Sequence, residues 1–295
     1  MEEAMRKAAV LIEAMPYLQR FGGKEIVIKF GGSTMETADV IDDILEDVVF
    51  LATVGIKTIL VHGGGKSISS AMDQAGLTPQ FVSGHRVTDD AALEVVVRVL
   101  MEVNAGLVEG IKRHGGHAVS GFQDDTSVLK VREKKVGPDG KHDDSGVDIG
   151  YVGEVVSVDT ERIRQLESAG EILVMPPIGQ DESGQLYNVN ADSAAAAIAA
   201  RLRAEKIVFL SDVHGIMADP GDENSFLSTI DRAQIGELIS KDVISGGMLP
   251  KVEGCIHAIE SGVRKAHIID GSLHHSLLLE IFTDAGVGTQ IVLKG

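Results

Sequence analysis

The chain is short of cysteine, proline, basic residues and long apolar runs, and each shortage narrows what it can be. Its one cysteine, Cys255, cannot close a disulfide within the chain, and the composition suits a reducing cytosol. Lys and Arg number 27 against 44 Asp and Glu, a formal net charge of −17. Coating nucleic acid does not fit that balance, because such affinity comes from counterions released at Lys and Arg clusters; any bound polyanion must be held by a few placed cations. No apolar run approaches the ~20 residues that span a bilayer. The longest, 194–200, is alanine-rich, ends at Arg201 and suits a helix packed on a sheet. The opening MEEAMRKAAVLIEAMPYLQRF carries Glu2, Glu3 and Glu13 and lacks an apolar core flanked by basic residues, so it does not read as a secretion signal; a soluble, cytoplasmic protein is expected. With seven prolines and 44% hydrophobic residues the chain is not low in complexity either.

What it has in excess is glycine: 34 of 295 residues, about 11.5% against a usual ~7%. Such glycines belong where the backbone needs unusual dihedrals or close approach. Size allows one large or two medium domains. Short β-branched runs (26–30, 56–61, 117–122, 127–132, 151–158, 206–210, 267–269, 290–293) alternate with amphipathic stretches (38–54, 66–75, 91–113, 191–204, 231–240, 247–261, 276–282), and a helix–strand pair covers 160–175. The alternation predicts βαβ units and a largely parallel sheet, with its strands covered on both faces. Thr88 is expected to cap the 91–113 helix, with Asp89 and Asp90 in its first turn. Pro138-Asp139-Gly140 signals the turn of an exposed antiparallel hairpin across 134–145. The pattern restarts after Pro176-Pro177, which divides the chain into lobes at 23–178 and 179–295. Residues 1–22 stand outside this scheme. Met5, Ala8, Ile12 and Met15, beside Ala9 and Leu11, form an apolar stripe at helical spacing, and Pro16 should kink or stop that helix. The stripe can pack on its own domain or on another subunit.

Four glycine clusters fall just after strands or at a helix start: Lys29-Phe30-Gly31-Gly32-Ser33, His62-Gly63-Gly64-Gly65-Lys66, Ser211-Asp212-Val213-His214-Gly215 and Ser245-Gly246-Gly247-Met248. Open α/β sheets bind ligands at the carboxyl ends of strands. Glycine there lets main-chain N–H groups approach an anion, and a following helix N-terminus adds a favourable dipole. One cluster would be explained by turn geometry; four are harder to explain so. Two familiar phosphate motifs are absent. Gly65-Lys66-Ser67 ends like a P-loop, but the first glycine would fall at Leu60, and a GxGxxG read from Gly63 fails at Ile68.

The segments VIKFGGS, LVHGGG, GHRVTDD, YVGEV, LYNVNADSAAAAIA, VFLSDVHGI, GGMLPKV and HSLLLEIFTDAGVGT resemble the N-acetylglutamate kinase branch of the amino-acid kinase family, from about residue 6 to the end. The resemblance implies an αβα sandwich around a mainly parallel sheet, with an acyl-substrate lobe followed by an ATP lobe. It implies transfer of the γ-phosphoryl group of ATP, brought with Mg²⁺, to the side-chain carboxylate of N-acetyl-L-glutamate in arginine biosynthesis. That acceptor ionises near ~4.3 and needs no general base at neutral pH, so the task is electrostatic. By the resemblance, Lys29 lies on the acceptor side of the phosphoryl group and Lys251 towards the leaving phosphates, with Asp192 orienting both. Gly32 and Gly65 would donate N–H bonds to the transferring phosphate, and Gly64 and Gly65 would contact the acyl substrate. Arg86 would grip the α-carboxylate, its fork matching a carboxylate, and Asn188 and Asn190 the remaining polar groups; both asparagines also suit a turn ending in a helix cap. Gly31, Asp212, Gly215, Met217, Gly247 and Met248 would line the nucleotide site.

Two departures stand on the substrate side: His85 where the family usually has an apolar residue, and Gln123-Asp124-Asp125 in place of a commoner glycine-rich turn. No protein-only metal site is expected, since His114/His117 straddle a Gly-Gly and His274/His275 are adjacent. Cys255 reads as a small buried hydrophobe. The N-terminal helix marks the arginine-inhibited branch, in which such helices interlace dimers into a hexamer; Tyr17, His267, Ser276, Glu280 and Gly286 resemble its arginine pocket. The competing readings are a related kinase of glutamate, aspartate or carbamate, and a catalytically silent amino-acid sensor. Arg86 and the run 188–192 argue against the first, and the presence of both lysines against the second.

Overall fold

The computed structural model describes residues 1–137, 143–219, 221–283 and 286–293, with the backbone alone at 2, 4, 7 and 223. Eight strands form the central sheet: β1 (Glu25–Phe30), β2 (Lys57–His62), β3 (Ala118–Ser120), β4 (Ile172–Met175), β5 (Lys206–Ser211), β6 (Thr229–Asp231), β7 (Lys265–Asp270) and β8 (Thr289–Val292). Their order is β6-β8-β7-β5-β1-β2-β4-β3, and every neighbouring pair is parallel except β7 with β8. Nine helices lie among the described residues: α1 (Glu2–Phe21), α2 (Ala38–Thr53), α3 (Gly65–Gln74), α4 (Asp90–Arg113), α5 (Thr160–Ser168), α6 (Ala191–Leu202), α7 (Arg232–Ser240), α8 (Met248–Glu260) and α9 (Ser276–Phe282).

The period of two along β1 sorts its side chains between two cores. Ile26, Ile28 and Phe30 meet Ile44, Leu45, Val48 and Leu51 of α2, Leu107 and Ile111 of α4, and Leu277 and Ile281 of α9. Val27 faces the other way, towards Ala195, Ile198 and Ala199 of α6 and Val252, Cys255 and Ala258 of α8. Helices therefore cover both faces, which is the expected αβα sandwich, and each fully buried Ile or Leu contributes about 1.5–3 kcal/mol. The alanine run of α6 serves close packing. A Cβ on Gly254 of α8 would come within 3.0 Å of the Phe209 ring and 3.6 Å of both Ala196 Cβ and the Asp192 carbonyl, so small residues on both helices let α8 approach α6.

Beside the sheet, Leu129–Val136, Val147–Val158, Leu186–Val189 and Ile178–Gln180 close into a small barrel, which the sequence reading resolved only in part. The first two strands pair antiparallel, as the hairpin signal required, while its turn, Pro138-Asp139-Gly140, lies outside the described residues. The departure at Gln123-Asp124-Asp125 makes its own hairpin, with Asp124 and Asp125 at φ +53° and +55°, conformations aspartate tolerates better than most side chains.

Two local expectations need correction. The cap of α4 is Asp89, whose carboxylate accepts the Ala92 N–H at 2.8 Å; Thr88 is buried and donates its hydroxyl to the Arg86 carbonyl. Pro16 does not stop α1, which continues to Phe21 because its final turn docks on the body: Tyr17 stands edge-on to Phe282 at 6.4 Å and Phe21 is buried. His114, His274 and His275 lie at the surface, His274 with 82% of its side chain exposed, and each faces an acid of α2: Asp42, Asp43 and Asp47, at 2.8, 2.5 and 2.7 Å. No described helix is long and apolar enough to cross a membrane.

Candidate active site

Strand β1 has β2 on one side and β5 on the other, so the chain leaves it in one direction and returns on the opposite side. Crevices form at such reversals, outside the carboxyl ends of the strands. Here Lys29-Phe30-Gly31-Gly32, His62-Gly63-Gly64-Gly65 and Ser211-Asp212 converge. Gly31 and Gly63 lie back to back: a Cβ on Gly63 would stand 3.3 Å from the Gly31 Cα, and one on Gly31 would strike the Lys29 ammonium at 2.7 Å. The Gly63 N–H donates to the Phe30 carbonyl at 2.7 Å, joining the two loops.

A cleft of about 720 Å³ opens there and gathers Lys29, Gly32, Gly64, Gly65, Arg86, Asn188, Asn190 and Asp192. Its electrostatic centre is Asp192, in the first turn of α6. One carboxylate oxygen lies 3.0 Å from the Lys29 ammonium and the other 3.3 Å from that of Lys251, on α8 of the opposite half-sheet. Burial pushes the Asp192 carboxyl upward, but the two ammonium groups outweigh it and hold it below the ordinary range. Lys29, also buried, is lowered by desolvation and by Lys251 against the pull of Asp192. One carboxylate thus aligns two cations that would otherwise repel.

Arg86 is held on three sides. Its guanidinium donates to the Gly65 carbonyl at 2.9 Å and to the Ser69 hydroxyl at 2.8 Å, and lies 4.8 Å over the Phe81 ring. Asn190 caps α6 by accepting the Ser193 N–H at 2.9 Å, and Asn188 donates to the Thr88 hydroxyl at 3.3 Å; both still line the cleft. His85, beside Arg86, meets the Lys134 ammonium at 3.0 Å, tying the Phe81–Val82/His85–Arg86 hairpin to the barrel.

The remaining residues expected at the nucleotide lie beyond this cleft. Asp212 connects to it through Ser33, whose hydroxyl donates at 2.5 Å and is the main cause of that carboxyl's lowered pKa. Gly215, at φ +132°, packs against Thr289, and Met217 pairs in a short strand with Phe226. Gly247 precedes the first turn of α8, and the Met248 N–H donates to the Ser245 carbonyl at 3.2 Å. Among the described residues no group of three His, Cys, Asp or Glu side chains could hold a metal ion.

A second cavity, of about 380 Å³, lies between α1, the edge of β5–β7 and α9, and is lined by Tyr17, His267, Glu280 and Gly286 together with Arg20, Lys206 and Lys265. Ser276 does not line it; it is fully buried in the first turn of α9. Burial acts to raise the Glu280 carboxyl, yet its bonds with His267 and Lys206 bring it to about 2, so it stays ionised.

Sequence reasoning assigned nothing to His62, Asn104, Ser33, Gly254 or Lys206. Asn104 left a signal: Leu100, Leu107 and Ile111 put its position on the buried face of α4, where a polar residue needs partners.

Residues 24–270 match the amino acid kinase family. The acetylglutamate kinase of Carboxydothermus hydrogenoformans is 44% identical over 292 residues, covering 99% of each chain. That of Synechocystis sp. is 42% identical over 295 residues, covering 100% of this chain and 96% of the relative. Among solved structures, N-acetylglutamate synthase from Neisseria gonorrhoeae, in complex with coenzyme A and N-acetyl-glutamate, superposes with a TM-score of 0.83 at 26% identity. The match takes in 98% of this chain but 64% of the longer synthase. The same synthase with coenzyme A and L-arginine gives 0.82, across 66% of that chain. Carbamate kinase from Giardia lamblia, at 15% identity and a TM-score of 0.66, shares the fold.

Proposed function

The chain belongs to the amino acid kinase family, among its acetylglutamate kinases, and on that premise we propose that it phosphorylates the side-chain carboxylate of N-acetyl-L-glutamate with ATP. The observation that carries this reading is the Lys29–Asp192–Lys251 array beside two glycine loops and a buried arginine. A carboxylate oxygen of the acceptor attacks the γ-phosphorus; the bond from that phosphorus to the β,γ-bridging oxygen breaks, and ADP leaves with the electron pair. No proton needs removal, so the protein's work is alignment and charge stabilisation. Lys29 serves the acceptor side and Lys251 the leaving phosphates, while the Gly32 and Gly65 N–H groups meet the transferring group. Gly64, Asn188, Asn190 and Arg86 hold the acyl substrate. The acyl lobe is 23–178, with β1–β4 and the larger part of the barrel, and the ATP lobe is 179–295, with β5–β8; Gly31, Asp212, Gly215, Met217, Gly247 and Met248 line the nucleotide site. ATP enters as its Mg²⁺ complex, a substrate.

ADP release that depends on N-acetyl-L-glutamate tests the reaction, and Arg86→Lys tests the acceptor's placement. A lysine cannot reproduce the bidentate fork, so the KM for N-acetyl-L-glutamate should rise roughly 10- to 100-fold with a smaller change in kcat. An unchanged KM would remove Arg86 from the substrate.

The chain acts in arginine biosynthesis in the cytoplasm, and arginine binds the second cavity with its guanidinium on Glu280. The synthase complex with L-arginine and the ionised state of Glu280 support this. The apolar stripe of α1, with Met5, Leu11 and Ile12 each about two-thirds exposed, meets a second copy, joining dimers into a hexamer. Deleting residues 1–20 should lower the solution mass and weaken arginine inhibition while leaving catalysis. Unchanged mass and inhibition would remove both ideas.

A further inference from the structure

His62 ends β2 with no exposed surface, and the phosphoryl transfer described above gives it no task. Its Nδ1 lies 2.7 Å from the carbonyl oxygen of Gly63, and its Nε2 lies 3.2 Å from Nδ2 of Asn104. The same Asn104 nitrogen donates to the Val174 carbonyl at 3.0 Å. A carbonyl oxygen can only accept, so this contact orients the amide, and its second hydrogen points at His62. Nε2 must then be the ring's acceptor and Nδ1 the protonated nitrogen, the one that donates to Gly63. The imidazolium would set two donors against each other at Asn104. Burial independently favours the neutral ring, taking its pKa down to about 4.

This contact completes a pattern in the loop. The Gly63 carbonyl is taken by His62, that of Gly64 by the Ile68 N–H at 2.8 Å, and that of Gly65 by Arg86 and by the Ser69 hydroxyl at 3.0 Å. Three successive carbonyl dipoles are thereby held in place, and the first of them by a side chain that Asn104 fixes. A peptide plane that rotated would bring a partial negative charge towards an incoming polyanion.

We propose that His62, as the Nδ1–H tautomer set by Asn104, is a positioning residue: it locks the Gly63 carbonyl, and so the Gly64 N–H of the same peptide plane and the start of the next plane, which carries the Gly65 N–H, so that both present to the anionic substrates. The inference rests on reading this cleft as the phosphoryl-transfer site.

Two amide replacements separate the ring nitrogens. Asparagine puts its N–H near the position of Nδ1 and can still donate to Gly63, whereas glutamine reaches the position of Nε2. His62→Gln and His62→Leu should lower kcat for N-acetyl-L-glutamate-dependent ADP formation about 100-fold, with KM for the acceptor rising less than about 10-fold, because misplacing one preorganised donor costs on that order. His62→Asn should recover kcat to within about 10-fold of wild type. A glutamine variant as active as the asparagine variant, or a leucine variant near wild type, would overturn the proposal. If the variants fail to fold, nitrogen NMR of histidine-labelled wild-type protein decides it: His62 should give a protonated Nδ1 and a bare Nε2 at neutral pH, and the reverse tautomer or a cation would refute it. Should wild type release no ADP with N-acetyl-L-glutamate, the functional reading fails, while the tautomer measurement still decides the contact.

Discussion

Lys251→Ala should lower turnover by roughly 10²- to 10⁴-fold without unfolding the protein, an effect in the range expected for a preorganised cation or donor at a transferring phosphoryl group. The fold should survive because Asp192 keeps Lys29 at 3.0 Å and because Lys251, at the edge of the α6–α8 contact, is only partly buried. Steady-state kinetics beside a melting curve check both halves. Near-normal turnover would end its assignment to the leaving phosphates. The wild-type pH profile carries a companion sign. In the proposed mechanism Lys29 acts as an ammonium, and its pKa is lowered by burial and by Lys251, so activity should fall away on the alkaline side before an ordinary lysine would titrate.

Asp192→Asn should damage catalysis and stability together. The substitution keeps the shape of the side chain and removes the charge that holds two ammonium groups in line. Removing one partner of a buried pair typically costs about 3–5 kcal/mol, because the remaining charge is left uncompensated. Lys29 can relieve part of that by releasing its proton, since desolvation already favours its neutral form and the opposing pull of Asp192 would be gone. The expected result is a turnover lower by about 10²- to 10³-fold, a melting temperature lower by several degrees, and an alkaline limb moved to lower pH than in wild type. An alkaline limb left in place would show that Asp192 does not govern Lys29.

The strand–helix rhythm was readable because sheet strands covered on both faces are nearly continuous in apolar residues and surface helices repeat every three to four. The ends of β1, β2 and β5 stood out through glycine, which is where crevice geometry demands it. Less legible was anything set by approach across the sheet. Gly254 looks like an ordinary helix glycine until Phe209 and Ala196 are seen against it, yet that closeness brings Lys251 to Asp192. His62 sits in a glycine motif that draws the eye to its neighbours, and Asn104, 42 residues away, gives it a tautomer. Pro16 misled because a proline's local cost can be outweighed by docking, here of Tyr17 and Phe21. Thr88 and Asp89 are adjacent residues that can each cap a helix, and the burial of Thr88 decided between them. In the barrel, Ile178–Gln180 and Leu186–Val189 have three and four residues, too few for a period to emerge.

The proposed role of the cleft is phosphoryl transfer to the side chain of an acylated amino acid. Its most direct test is ADP formation by the purified chain with Mg²⁺ and ATP, comparing N-acetyl-L-glutamate with glutamate, aspartate and carbamate. ADP should form with N-acetyl-L-glutamate far faster than with the others; formation independent of acceptor, or a preference for unacylated glutamate, would contradict the account.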